Sequence, residues 1–138
     1  VKLKYLLDTN VVSEPLRPKP QHAVLRKLRS HEDEIAIASV VWHELRFGAE
    51  RLPVSHRRIA IERYLDDVIR ASMPILDYDE AAAEWHASER ARLAACGETP
   101  PFVDGQIAAI ARVNNLTLVT FNEADFRRFD EVQVLSWR

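Results

Sequence analysis

Three carboxylates stand where the surrounding pattern asks for apolar side chains. Asp8 closes the run Tyr5-Leu6-Leu7, Glu44 shares a helical face with Val40, Val41, Phe47 and Gly48, and Asp104 shares one with Ile107, Ala108 and Ala111. Stripping water from an unpaired carboxylate is costly. One such acid alone reads as a helix cap or half of a buried ion pair. Three gathered without a counter-ion would repel one another and raise their own pKa values, so the pattern asks for a cation. Oxygen ligands without a histidine or thiolate at ligand spacing suit a hard divalent ion, Mg²⁺ or Mn²⁺. Such an ion orients water and offsets the charge that develops on a phosphodiester, so hydrolysis of that bond is the expected chemistry. Thr9 and Thr120 are expected to hydrogen-bond the acids or a phosphate, against the alternative of purely structural hydroxyls.

The remaining residue types exclude several function classes. His43 precedes Glu44, but no second histidine follows at the spacing of a zinc-protease helix, and His22, His31, His56 and His86 show no ligand pattern. Gly48, Gly97 and Gly105 are the only glycines, which rules out a dinucleotide-binding turn and a phosphate-binding P-loop. A single cysteine, Cys96, leaves no intrachain disulfide or thiolate zinc site and fits a reducing, cytoplasmic setting. No apolar stretch approaches the roughly 20 residues needed to span a bilayer, and the first residues lack a signal-peptide core. Position 1 is valine, and Met73 is the only methionine. The net charge of -2 argues against coating nucleic acid through bulk positive potential. Local contacts remain, and Arg17, Lys19, Arg46, Arg127 and Arg128 flank the loops of interest as candidate phosphate contacts, weighed against solvated surface charge.

The elements that must position these groups alternate. A chain of 138 residues, 47% apolar and 29% charged, reads as one domain with its own core. Residues 3–7 form a continuous apolar run suited to a buried strand. Pro15, Pro18 and Pro20 mark a loop, followed by a helix carrying Ala23, Val24, Leu25 and Leu28. Strands are expected at 35–38, 73–78, 116–121 and 132–135, and helices at 40–51, 55–71, 80–96 and 103–114. Asp79 is the natural N-cap of the helix that Gly97 stops. This order implies an α/β fold with a mainly parallel sheet covered by helices on both faces. Ligands in such sheets bind beyond the carboxyl ends of the strands. Asp8, Glu44 and Asn122 follow strands, and Asp104 opens a helix. Asp125 stands three residues past Asn122, either as its capping partner or at the rim of the site.

With these residues in place, the chain resembles the PIN-domain ribonucleases, and within them the VapC and FitB type of bacterial toxin. The resemblance rests on the segments Leu7–Pro18, Glu44–Gly48, Asp104–Ala109 and Leu118–Asn122, in the family's order and each at a strand-to-helix junction. It implies a Mg²⁺- or Mn²⁺-dependent endoribonuclease spanning residues 1–138, neutralised by a small cognate antitoxin of the VapB kind. It also implies a homodimer, with Trp42, Leu52, Tyr64 and Trp85 as interface candidates. Asp8, Glu44 and Asp104 take the places of the family's metal-binding acids. The fourth catalytic position, often aspartate in relatives, is Asn122 here, which removes one negative charge.

Two other readings compete with the nuclease. A haloacid-dehalogenase-like phosphatase needs a second acid two residues after the first and a lysine later in the chain. Asn10 replaces the acid, and no lysine follows Lys27. A PIN-like module that grips RNA or protein without cutting remains the non-enzymatic alternative, kept open by Asn122.

Overall fold

The computed structural model describes residues 2–138, so Val1 and the question of the native start lie outside the described residues. A five-stranded, all-parallel sheet runs in the order β3-β2-β1-β4-β5. Its strands are β1 (Tyr5–Leu7), β2 (Ile35–Ala38), β3 (Ile75–Leu76), β4 (Thr117–Val119) and β5 (Val134–Leu135). The central strand carries the expected continuous apolar run. Leu6 pairs with Ala36 on one side and Leu118 on the other, and all three are buried. Burial on both faces removes any pressure for alternation, which is why Leu6–Leu7, Ile35–Ala38 and Leu118–Val119 are continuously apolar.

β2 spans its whole expected run, whereas β1 and β5 are shortened at their amino ends and β3 and β4 at both ends. Asp8 already caps the helix after β1, and Met73 still closes the turn before β3 through its amide bond to Ile69. The helices are α1 (Thr9–Val12), α2 (His22–Ser30), α3 (Ser39–Glu50), α4 (His56–Arg63), α5 (Arg70–Ser72), α6 (Glu80–Ala95), α7 (Phe102–Val113) and α8 (Glu123–Phe126). They flank the sheet in the expected α/β arrangement. Asp79 caps α6 by accepting from the Ala82 amide at 2.9 Å, and Gly97, at φ 79°, ends it as its position foretold.

One helix differs from expectation. The span 55–71 is not uniform: Tyr64–Ile69 is π-helical between α4 and α5. Within this wider turn Leu65 and Ile69 reach the core while Val68 stays exposed, and Ile59, upstream in α4, is exposed as well. Tyr64 donates its hydroxyl proton to the Val12 carbonyl at 3.0 Å, joining this segment to the site loop. Tyr64, Trp42 and Trp85 are packed against the core, and Leu52 is half-buried; the large apolar side chains left exposed include Phe47, Val54 and Val68. Among the described residues no helix is long and apolar enough to cross a membrane.

Strand order reverses about β1, whose neighbours are β2 and β4. The crevice beyond the carboxyl ends of β1 and β4 is therefore the topological switch point.

Candidate active site

Asp8 lies at that switch point. Its amide donates to the Val119 carbonyl at 2.9 Å, holding the residue between the two strands. The carboxylate caps α1 by accepting from the Thr9 amide at 2.8 Å, and its other oxygen accepts from the Thr120 hydroxyl, also at 2.8 Å. Thr120 is completely buried and its hydroxyl in turn accepts from the Asn122 amide at 3.0 Å. Asp8 itself is only 8% exposed. Burial pushes its carboxyl above the ordinary range, the Thr120 and Thr9 hydrogen bonds pull back, and the charge of Asp125 adds to the rise.

Asp104 sits in the first turn of α7 and is half-buried. Burial raises its carboxyl, and the charges of Asp8 and Asp125 raise it further; Arg128 opposes them, and Glu44 adds a smaller rise. These four acids therefore share one electrostatic neighbourhood. Glu44 joins it differently from expectation. The buried stripe of α3 is Val41, Leu45 and Ala49, and Glu44 is exposed beside Phe47 rather than interrupting the core face. It reaches the site from the solvent side, where its carboxylate accepts from the Thr9 hydroxyl at 3.1 Å. Glu44 lies on the flank of the apolar stripe of α3, not at its centre.

Among the described residues, no lysine, arginine or histidine nitrogen lies within 4.0 Å of Asp8, Glu44 or Asp104. The arginines singled out from the sequence are engaged elsewhere. Arg17 contacts Glu14 at 3.4 Å, Arg46 contacts Asp66 at 3.3 Å and Glu50 at 3.6 Å, and Arg127 contacts Glu123 at 2.8 Å. Arg128 stands 4.0 Å from Asp125 and is the one whose charge acts on Asp104. Lys19 is exposed.

Asn122 is exposed, and its side chain forms no cap on α8. The expected pairing with Asp125 exists only through the backbone, where the Asp125 amide donates to the Asn122 carbonyl at 3.1 Å. Asp125 is nonetheless the acid whose charge reaches both Asp8 and Asp104. Sequence reasoning also passed over Glu14, which is fully buried directly after α1.

The oxygen-rich donor set suits a hard cation, and the carboxamide oxygen of Asn10, in α1, is buried without a hydrogen-bond donor among the described residues. Among the described residues no three His, Cys, Asp or Glu side chains form a ready-made cage for an ion. A hard cation held by one or two of these carboxylates would need retained waters or substrate phosphate oxygens to complete its shell. Beside the acids runs a groove of about 330 Å³ whose lining includes Thr9, Arg17, Glu44, Leu45, Arg57 and Ile61.

The like charges carry a stability consequence. Asp8 and Asp104 have folded-state pKa values above their ordinary ones. The folded state thus holds more protons than the unfolded chain in that window. Their contribution to stability is full below the unfolded values and is lost as pH rises through the folded ones. Asp104 makes no hydrogen bond that asparagine would break, so Asp104→Asn should raise the metal-free melting temperature at neutral pH. After allowing for solvent screening, the gain is about 1–3 °C. Calorimetry in chelator checks this, and a lowered melting temperature would contradict the repulsion.

Sheet and acids together define an α/β domain with a carboxylate site at its switch point. The family model described as PIN domain matches residues 5–132. The chain is 33% identical to the tRNA(fMet)-specific endonuclease VapC of Shigella flexneri over 98% of both chains. It is 32% identical to Toxin FitB of Neisseria gonorrhoeae, over 96% of this chain and 97% of that one. Among solved structures, FitAB bound to an IR36 DNA fragment superposes with a TM-score of 0.89 at 30% identity, covering 97% of this chain and 96% of that one. DNA-bound VapBC from Salmonella typhimurium gives 0.84 at 29% identity over 99% of both. This chain belongs to the PIN-domain family, and its relatives there are toxins of the VapC and FitB type. Metal dependence is general among nucleases of this family.

Proposed function

We propose that residues 1–138 form a single PIN domain acting as a Mg²⁺- or Mn²⁺-dependent endoribonuclease, the toxin of a cytoplasmic toxin-antitoxin pair. The observation that carries this reading is that, among the described residues, no lysine, arginine or histidine nitrogen lies within 4.0 Å of Asp8, Glu44 or Asp104, although burial raises the cost of ionising Asp8 and Asp104 and the charge of Asp8 adds to it at Asp104.

Asp8 and Asp104 are the residues that would hold the ion, with Glu44 binding directly or through water. When bound, the ion would lower the pKa of water and neutralise charge on the scissile phosphate. The rest falls to the chain itself. Thr120 donates to Asp8, keeping one carboxylate oxygen oriented and the group ionised. Thr9 ties Glu44 to the same loop. Asn122 and Asp125 would orient water, and the charge of Asp125, felt at both Asp8 and Asp104, would make good the one missing at Asn122. Arg128, whose charge reaches Asp104, would be the phosphate contact nearest the acids, although it is itself held by Asp125, as Arg17 and Arg46 are held by Glu14 and Asp66.

The small antitoxin expected as partner would occupy the groove beside Glu44, and a second copy of the chain is the other expected partner. Relatives solved as FitAB and VapBC complexes support the first. The direct test incubates antitoxin-free protein with single-stranded and structured RNA in Mg²⁺, Mn²⁺ and chelator. Cleavage that disappears in chelator is expected. Binding without cleavage under every metal would favour the non-cutting module.

Because both carboxylates must be ionised to hold the ion, activity should fall on acidification from above the ordinary carboxylate range. More Mn²⁺ should push that limb to lower pH by competing with protons. Thr120→Val removes a hydrogen bond that lowers the Asp8 pKa, so its limb should move to higher pH. A pH–rate profile checks this; superimposable limbs for Thr120→Val and the parent would contradict the role of Thr120.

A further inference from the structure

Behind Asp104 lies a contact that the reaction scheme leaves unused. Helix α6 brings His86 against the first turn of α7, directly at Gly105. A Cβ on Gly105 would come within 2.7 Å of the imidazole Cδ2 and 2.9 Å of Cε1, with Nε2 nearer still, so only glycine admits the ring here. The ring is not free to retreat. His86 is only 4% exposed, its Nδ1 shares a 2.7 Å hydrogen bond with the Tyr78 hydroxyl, and Phe102 packs on it with ring centres 4.8 Å apart. Tyr78 comes from the connection after β3, so the contact links that connection, α6 and the start of α7.

We propose that His86 is a positioning residue for Asp104. Its imidazole, steadied by Tyr78 and Phe102, is wedged against the bare Cα of Gly105 and sets where the first turn of α7 stands relative to Asp8. The inference rests on the reading of Asp104 as an ion-holding acid. A displacement of about 1 Å in such a group is enough to cost about a hundredfold in rate, and a side chain at position 105 would force one.

The test combines Mn²⁺ titration, read by electron paramagnetic resonance of the free ion, with RNA cleavage, on the whole chain well below its melting temperature. Gly105→Ala should weaken Mn²⁺ binding about tenfold or more and lower kcat by a similar factor, with little change in KM for RNA. Adding His86→Ala to Gly105→Ala removes the obstruction and should recover part of the Mn²⁺ affinity, a rescue that simple loss of packing would not produce. Tyr78→Phe removes one oxygen and should lower Mn²⁺ affinity and kcat about threefold, as expected when one orienting hydrogen bond is lost. A folded Gly105→Ala with parental Mn²⁺ affinity and kcat overturns the proposal. If Gly105→Ala does not fold, parental values in Tyr78→Phe overturn it instead. Mn²⁺ binding by the parent without RNA cleavage sinks the nuclease reading alone, and the affinities then decide the role of His86. A parent that binds no Mn²⁺ sinks both.

Discussion

Replacing Asp8 or Asp104 by asparagine is expected to reduce RNA cleavage on the order of a thousandfold, through kcat rather than KM. Asparagine keeps the shape of each side chain and removes the charge, which isolates what the carboxylate does at Asp104; at Asp8 the amide also gives up one of the hydrogen bonds accepted from Thr9 and Thr120. Asp8 is held by Thr9 and Thr120 at hydrogen-bond distances of 2.8 Å, and its freedom to move is small. Asp104 has no such restraint among its own hydrogen bonds and stands on the first turn of α7. Two groups that hold one ion act as a unit, so the double variant should be hardly worse than either single one. Single-turnover cleavage in Mg²⁺, with circular dichroism to confirm folding, reads the effect. Undiminished cleavage in both variants would trace the activity to a contaminant and remove the roles assigned to these acids. Asp125→Asn serves as a graded comparison: if that acid replaces the charge missing at Asn122, its loss should be felt but should be smaller.

The largest expected effect on stability is at Glu14. The side chain is completely buried, one carboxylate oxygen accepts from the Gln21 amide at 2.9 Å, and the other accepts from Arg17 at 3.4 Å. It thereby closes the proline-rich loop that follows the site helix α1. Glu14→Ala leaves the Gln21 amide without its acceptor and opens a cavity, which should cost about 2–4 kcal/mol and lower the melting temperature by roughly 10 °C. Glu14→Gln preserves volume and an acceptor and should cost less. Arg17→Ala gives the matching control, because the arginine side chain is 55% exposed and the Gln21 bond survives its loss. A modest loss of stability with unchanged KM identifies Arg17 as an anchor for Glu14. A raised KM with unchanged melting temperature would instead return it to the RNA contacts expected from its position. A Glu14→Ala protein as stable as the parent would show that the buried carboxylate holds nothing.

Much of this was legible in the sequence because burial leaves a one-dimensional trace. The runs Tyr5–Leu7, Ile35–Ala38 and Thr117–Val119 or their near surroundings are apolar without alternation, and a parallel sheet buried on both faces is the arrangement that produces such runs. Asp8 stood out because a charge at the end of a buried strand is conspicuous, and Asp104 because its helical neighbours Ile107, Ala108 and Ala111 are all in the core. The same logic failed at Glu44. Residues three and four apart on a helix include both the middle and the edge of an apolar stripe, and periodicity alone does not tell which is which.

Residue order and side-chain type therefore determined the alternation of elements, the apolar centre of the sheet and the acids worth suspecting. The tertiary structure alone decided what each charge meets. Arg17 and Arg46 are taken up by Glu14, Asp66 and Glu50, whereas among the described residues no lysine, arginine or histidine nitrogen comes within 4.0 Å of Asp8, Glu44 or Asp104. It also brought Asp125 into the field of Asp8 and Asp104, and set His86 against Gly105, 19 positions away in the chain. Burial is an average over a residue's neighbourhood and survives in local patterns. Pairing depends on distances of a few ångströms between distant segments, and these exist only once the sheet has closed.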